Sequence, residues 1–284
     1  MKNLYLIISK TPSKTALITF NLITKSAEER NIKIHKIFVE DFDFSQEIKF
    51  TKEDGLYRIS TGNKSALIEK YLINSEVKVL YQNNKFCLGK LTHNIGSSLI
   101  HQKLDLPIIK TIFEITNNRE LLKKYVRYLD GFPIIIKAIG GSHGIGIMKI
   151  DSFESLASVC DYLVNKGNNF IMRKYIDYIK HARLIVLGDR VISSIEYKRV
   201  NGDFRSNVGD KIDVVEENFG ELVNKTAVDS VNALGYEFGG VDILIDQNNN
   251  HYIAEVNFPC YFARTQNATG FDISGAMLDY LIQK

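Results

Sequence analysis

Near the C-terminus, Asp242 in GGVDILID and Glu255 and Asn257 in HYIAEVN form a set of oxygen donors of the kind that holds a hard divalent cation. Alternate side chains of a strand share a face, so Glu255 and Asn257 point one way while Val256 packs the other. The tract Asp246-Gln-Asn-Asn-Asn250 between the two runs is turn-forming, which makes a hairpin and brings Asp242 across from the other two. Two carboxylates and an amide oxygen on one sheet face suit Mg²⁺ whose shell is completed by nucleotide phosphates, with Mn²⁺ as an alternative ion. From spacing alone, the same residues also read as solvated polar groups on the open face of a sheet.

A second feature is GGSHGIG, with four glycines in seven residues, set between the apolar runs FPIIIKAI and IMKI. The segment Gly141, Ser142, His143, Gly144, Ile145 and Gly146 can turn backbone N–H groups toward an anion, and Lys137 just upstream would point the same way. Taken singly, Lys137 also reads as a surface lysine with its stem along apolar neighbours. The glycines do not follow a Walker, kinase or dinucleotide pattern, and the flanking strands make this the tip of a hairpin that closes over phosphates. In GDFRSN, Arg205 and Asn207 suit a carboxylate or a transferring phosphoryl group, as does Arg183 in HARLIVLGD. Each of these also fits a polar loop with a satisfied arginine.

The elements that must position these residues are legible in outline. From residue 1 to about 88, β-rich runs (LYLII, IKIHKIFV, VKVLYQ) alternate with helical segments at 13–30 and 63–74, which predicts a parallel α/β unit. Residues 42–62 read as an insertion or hairpin. A helix over 91–104, a strand PIIKTIFEI, a helix over 118–129, the glycine hairpin and a helix from about Ser152 form a second, α+β unit. The last part carries FIMRKYI, ARLIVLG, VISSIEYK, GGVDILID and HYIAEVN in an antiparallel sheet, with helices at about 220–234 and 274–283.

Bulk properties narrow the classes. With 284 residues, 45% hydrophobic and 24% charged, the chain reads as an ordinary soluble protein of two or three packed units. A net charge of +3 is too small to argue for nucleic acid, and no apolar run is long enough for a membrane span. Cys87, Cys160 and Cys260 fit neither a disulfide framework nor paired zinc ligands, and the start lacks a signal-peptide pattern, so the expected compartment is the cytoplasm. Nothing in the sequence decides between a monomer and a homo-oligomer.

Five segments, FPIIIKAIGGSHGIGIMKI, ARLIVLGDRVISSIEYKRVNGDFRSN, GGVDILID, IAEVN and ATGFDISGAML, follow one another with the spacing of the RimK-type ATP-grasp ligases. The chain resembles that family over about residues 90–284. The resemblance implies an α/β and α+β architecture in which an N-terminal Rossmann-like, pre-ATP-grasp domain (1–89) precedes a lid subdomain (90–169) and a catalytic subdomain (170–284). It implies ATP and Mg²⁺ and a reaction joining a carboxylate to an amine on an amino acid, peptide or protein substrate. Lys137 would bind the α/β phosphates, 141–146 would cover the triphosphate, and backbone around Arg173, Lys174, Tyr175 and Ile176 would receive adenine. Asp242, Glu255 and Asn257 would hold the metal, with Arg205 and Asn207 facing the γ-phosphate and Arg183 nearby.

The sequence departs from the family pattern in places. Thr92 stands where a nucleotide-binding lysine is expected, with Lys90 two residues away as the substitute. His181 takes the place of an aspartate at the nucleotide site, and Arg173-Lys174 replaces Gln-Glu. The segment FPCYFAR (258–264) replaces a small-residue turn, and Tyr261, Phe262 and Arg264 are expected to line a pocket for an acidic or amphipathic group, with Cys260 a packing residue. Two other readings are a phosphotransferase that stops at phosphorylation and a nucleotide-binding protein without turnover.

Overall fold

The computed structural model describes residues 1–45, 47–82, 94–114, 116–138, 146–199, 202–206 and 212–284. Three sheets organise them. In the first, β1 (Asn3–Ile8), β2 (Lys33–Phe38) and β3 (Asp54–Arg58) are parallel in the order β2-β1-β3, with α1 (Lys14–Glu29) and α2 (Asn63–Leu72). Ser13 caps α1 by accepting from the Ala16 amide. The stretch 42–62, expected as an insertion or hairpin, instead supplies β3, a fully buried parallel partner of β1. Asp54 fixes its start by accepting from Asn3 Nδ2 at 2.8 Å and from the Thr51 amide at 2.7 Å. VKVLYQ forms only single bridges, Lys78 to Gly55 and Tyr81 to Tyr236.

The second group comprises α3 (Asn94–Lys103), β4 (Thr111–Ile112), α4 (Arg119–Tyr128), β5 (Ile134–Ala138), β6 (Ile147–Ile150), α5 (Phe153–Asn165) and β7 (Phe170–Lys174). Its sheet has the order β4-β7-β5-β6 and is antiparallel throughout. PIIKTIFEI yields only the two-residue β4. FIMRKYI, expected in the last sheet, pairs instead with β5 of this one, Ile136 opposite Met172. The reason lies in its inward residues: Phe170 and Met172 complete the core that Ile134, Ile136, Leu122, Leu156 and Cys160 build.

The third sheet, in the order β10-β9-β8-β11-β12, contains β8 (Tyr178–Leu187), β9 (Arg190–Tyr197), β10 (Val214–Glu216), β11 (Phe238–Asp246) and β12 (His251–Asn257). One face, including Ala182, Leu184, Val241 and Ile243, packs on Val223, Ala227 and Val231 of α6 (Glu221–Ala233). The opposite face of β8 is split: Ile185 and Leu187 are apolar, whereas His181 and Arg183 are polar. α7 (Ala263–Thr269), which the sequence pattern did not announce, and α8 (Ile273–Gln283) close the chain. Met277, Leu278 and Phe262 share one core with Leu4, Leu6 and Ile23 of the first unit. Ser26 Oγ meets Ser274 Oγ at 2.7 Å, and Arg30 grips Asp279 through Nε and Nη2 at 2.7 and 2.8 Å.

Candidate active site

The polar end of the third sheet is assembled by register. Asp242 on β11 lies directly opposite Arg183 on β8 and Glu255 on β12, while Asn257 lies opposite Gly240. Asp242 Oδ2 accepts from Arg183 Nη1 at 2.9 Å and from Asn257 Nδ2 at 3.1 Å. Both members of the Asp242–Arg183 pair are buried, at 8% and 6% exposure. Burial alone would raise the Asp242 pKa, but the Arg183 charge overrides it and holds the carboxyl below the usual range. Gly240 admits the guanidinium: a Cβ there would stand 2.3 Å from Arg183 Nη2. Arg183 therefore faces Asp242 and not open solvent.

Lys137 reaches this face from the second sheet. Its Nζ donates to Glu255 Oε2 at 3.2 Å, which joins the expected phosphate lysine to the expected metal carboxylate. Gly146, at the far side of the hairpin, has φ +85° and accepts at its carbonyl from the Ala138 amide at 2.8 Å. Glycine adopts that φ without strain. Gly141, Ser142, His143, Gly144 and Ile145, together with Lys90, Thr92, Cys87 and Asn207, lie outside the described residues.

The fit to a hard cation can be judged from the donors. Asp242 Oδ1 is buried with no hydrogen-bond partner among the described residues. With the Asn257 amide nitrogen turned to Oδ2, its oxygen remains as a donor. No group of three or more His, Cys, Asp and Glu side chains suited to a metal exists among the described residues, so two carboxylates plus this amide oxygen are what the face offers. That oxygen-only set fits Mg²⁺ better than a thiolate-seeking metal.

The remaining expected residues divide. His181 sits beside the pair, buried, with Nδ1 2.6 Å from Ser206 Oγ and Nε2 3.7 Å from Asp242 Oδ1. Arg205 is held by Asp203, through Nε at 3.0 Å and Nη2 at 2.9 Å. Arg173 is buried and turned to the third sheet, with Nη1 donating to the Ala254 carbonyl at 2.9 Å and Nη2 to Ser98 Oγ at 3.0 Å. Lys174 pairs with Asp130 at 2.8 Å, Tyr175 lies beneath Lys149 at 4.6 Å, and Ile176 is buried with Ile109 and Tyr178. The three residues expected to line a pocket for an acidic or amphipathic group are divided between the core and the surface. Phe262 is fully buried in the shared core and Tyr261 packs partly buried against it. Arg264 is exposed over the Tyr197 ring, 5.8 Å from its centroid. Cys260 is fully buried, and burial pushes its thiol up to about 11, which suits a packing residue and not a nucleophile. The sequence reading missed Asp203 and Ser206; both lie inside the GDFRSN segment that it singled out for Arg205 and Asn207.

The mixed α/β architecture is that of the ATP-grasp ligases. It superposes with a TM-score of 0.75 and 14% identity, covering 99% of both chains, on the ATP-grasp ligase PsnB complexed with a minimal precursor. The D-alanine–D-alanine ligase of Bacillus anthracis superposes with a TM-score of 0.70 and 18% identity, covering 100% of this chain and 97% of that one. The chain belongs to the RimK-like ATP-grasp domain family, whose pattern matches residues 93–281. A probable alpha-L-glutamate ligase of Chromohalobacter salexigens is 26% identical over 219 residues, which is 76% of this chain and 68% of the relative. One of Rhodopirellula baltica is 27% identical over 212 residues, which is 72% of this chain but only 51% of the relative. Family, relatives and fold together support ATP-dependent carboxylate–amine ligation. Among the described residues, no helix is long and apolar enough to cross a membrane.

Proposed function

We propose that this protein uses ATP to activate a carboxylate on an amino acid or peptide and passes the acyl group to an amine. A substrate carboxylate oxygen attacks the γ-phosphorus, the bond to the β,γ-bridging oxygen breaks, and an acyl phosphate and ADP result. The amine nitrogen then attacks the acyl carbon, phosphate leaves, and the nitrogen loses a proton. Carboxylates acylate poorly at neutral pH; phosphorylation supplies the leaving group.

The observation that carries this reading is the Lys137–Glu255 contact, which spans two sheets and brings together the lysine read as a phosphate ligand and the carboxylate read as a metal ligand. Asp242, Glu255 and Asn257 would hold Mg²⁺, or Mn²⁺ in its place. When bound, the ion neutralises charge on the phosphates. Lys137 would turn from Glu255 to the α/β phosphates, and Arg205 would leave Asp203 to meet the γ-phosphate together with Asn207. Arg183 would keep Asp242 ionised. The glycine segment 141–146 would lie over the triphosphate, and backbone at 174–176 would meet adenine. Peptide substrates are favoured by the solved neighbours, which include PsnB with its precursor peptide PsnA2 and a Chryseobacterium gregarium ligase with leader and core peptides. In this reading the protein acts in the cytoplasm, where ATP is supplied.

The test is ADP release over a panel of amino acids and peptides, alongside melting with ATP and Mg²⁺. Wild type should release ADP with an accepted substrate, and Asp242→Asn and Glu255→Gln should lose about 100-fold or more. Equal background in all three proteins, with no Mg²⁺-dependent melting shift, overturns the reading.

A further inference from the structure

The segment 202–206 that carries Arg205 is fastened to β8 at two points. Tyr178 Oη donates to the Phe204 carbonyl at 2.9 Å, and Ser206 Oγ meets His181 Nδ1 at 2.6 Å. His181 is buried between the Tyr178 and Tyr197 rings, with centroids 6.0 and 4.9 Å away. Among the described residues its other nitrogen, Nε2, has no hydrogen-bond partner, and neither does Asp242 Oδ1, 3.7 Å from it. These two unpartnered buried atoms face each other. A carboxylate oxygen only accepts, so the arrangement is electrostatically complementary, at 3.7 Å and short of a hydrogen bond, when Nε2 carries the ring proton and Nδ1 accepts from the Ser206 hydroxyl.

We infer that His181 is a positioning residue that ties the Arg205 segment to the Asp242 carboxylate, so that the hold of Asp242 on its cation depends on Ser206. The inference rests on the metal role proposed above for Asp242. Ser206 O–H orients the ring, and Nε2–H fixes the rotation of the carboxylate, as partners behind metal ligands do elsewhere. The same ring joins the phosphate-facing segment to the metal-facing strand, so displacement of one is felt by the other.

The test is a calorimetric titration of ADP into the full chain at a series of Mg²⁺ concentrations, with melting curves to confirm folding. Ser206→Ala removes the hydroxyl. His181→Asn places an amide near the Nδ1 position and keeps the Ser206 contact, whereas His181→Gln places one near Nε2 and keeps a donor toward Asp242. Ser206→Ala and His181→Asn should each raise the Mg²⁺ concentration for half-maximal ADP binding about three- to tenfold, and Ser206→Ala should leave metal-free ADP binding unchanged. The double variant should be no worse than His181→Asn, and His181→Gln should lie nearer wild type. If wild type binds ADP in a Mg²⁺-dependent way and Ser206→Ala leaves that dependence unchanged, or if the two effects multiply, the tether is overturned alone. If wild-type ADP binding ignores Mg²⁺, the metal role of Asp242 falls and the tether with it.

Discussion

Replacing Arg183 with leucine should destabilise the protein in a way that its partner reverses. The Arg183 and Asp242 side chains are 8% and 11% exposed and 2.9 Å apart, so the variant leaves a buried carboxylate without its counter-charge. Stranding one member of a buried pair costs about 3–5 kcal/mol. Asn257 still donates to Oδ2 at 3.1 Å, which places the expected loss near the lower end, about 3 kcal/mol. At about 2–3 °C per kcal/mol for a chain of this size, Tm should fall by roughly 6–9 °C. Arg183→Leu with Asp242→Leu should recover most of that, because an apolar pair of similar volume carries no desolvation cost. The pH dependence has a definite sign. In wild type the depressed Asp242 pKa contributes stability that is present above the unfolded value, about 3.9, and lost as pH falls through the folded value. In Arg183→Leu the unpaired carboxyl binds a proton more readily than in the unfolded chain, so its penalty shrinks as pH falls. Melting curves in EDTA at pH 7.5 and 5.5 should show the gap between variant and wild type narrowing at the lower pH. A gap under about 2 °C at pH 7.5, or one that widens on acidification, refutes the reasoning.

Other expectations follow from the same contacts. Gly240→Ala should lower stability by about 1–3 kcal/mol, since its Cβ would meet the confined Arg183 guanidinium at 2.3 Å; chemical denaturation measures this. Lys137→Met should weaken ATP binding about tenfold or more in calorimetry, while removing a contact that engages Glu255 without nucleotide. Asp54→Asn should cost about 1–2 kcal/mol at neutral pH. Although burial opposes it, bonds from Asn3 and Thr51 hold Asp54 below the usual range, so its contribution is present above the unfolded pKa and lost as pH falls; the variant's acid unfolding curve should be correspondingly flatter.

The face proposed to hold a metal was legible because strand alternation and a turn-forming tract act locally: Glu255 and Asn257 share a side and Asp242 falls opposite Glu255. The hairpin bearing Lys137 was legible for the same reason. Partnership across the fold was not. Nothing in HARLIVLGD tells that Arg183 turns to a carboxylate 59 positions later, or that Arg173 reaches a carbonyl on β12, because those choices depend on which sheets face each other. β7 was assigned to the wrong sheet since neighbours in sequence need not be neighbours in a sheet. β3 (DGLYR) was hidden because it opens on Asp54 and Gly55, residue types that favour turns, and α7 follows aromatics that resemble a pocket wall but serve the core.

The shared core of β1, α1, Phe262 and α8 has a mechanical outcome. Both chain ends belong to one block, welded by Ser26–Ser274 and Arg30–Asp279. Swinging the first unit away would expose Leu4, Leu6 and Leu278 to water, at about 1.5–3 kcal/mol for each side chain. The second group meets the third sheet and its helix through the Arg173–Ala254 and Lys137–Glu255 contacts, through His101 Nε2 and the Ser230 carbonyl at 2.9 Å, and through the Ile253 amide, which donates to the Pro107 carbonyl at 2.7 Å. The first and last stretches of the described chain therefore behave as one body, because parting them would wet the core they share.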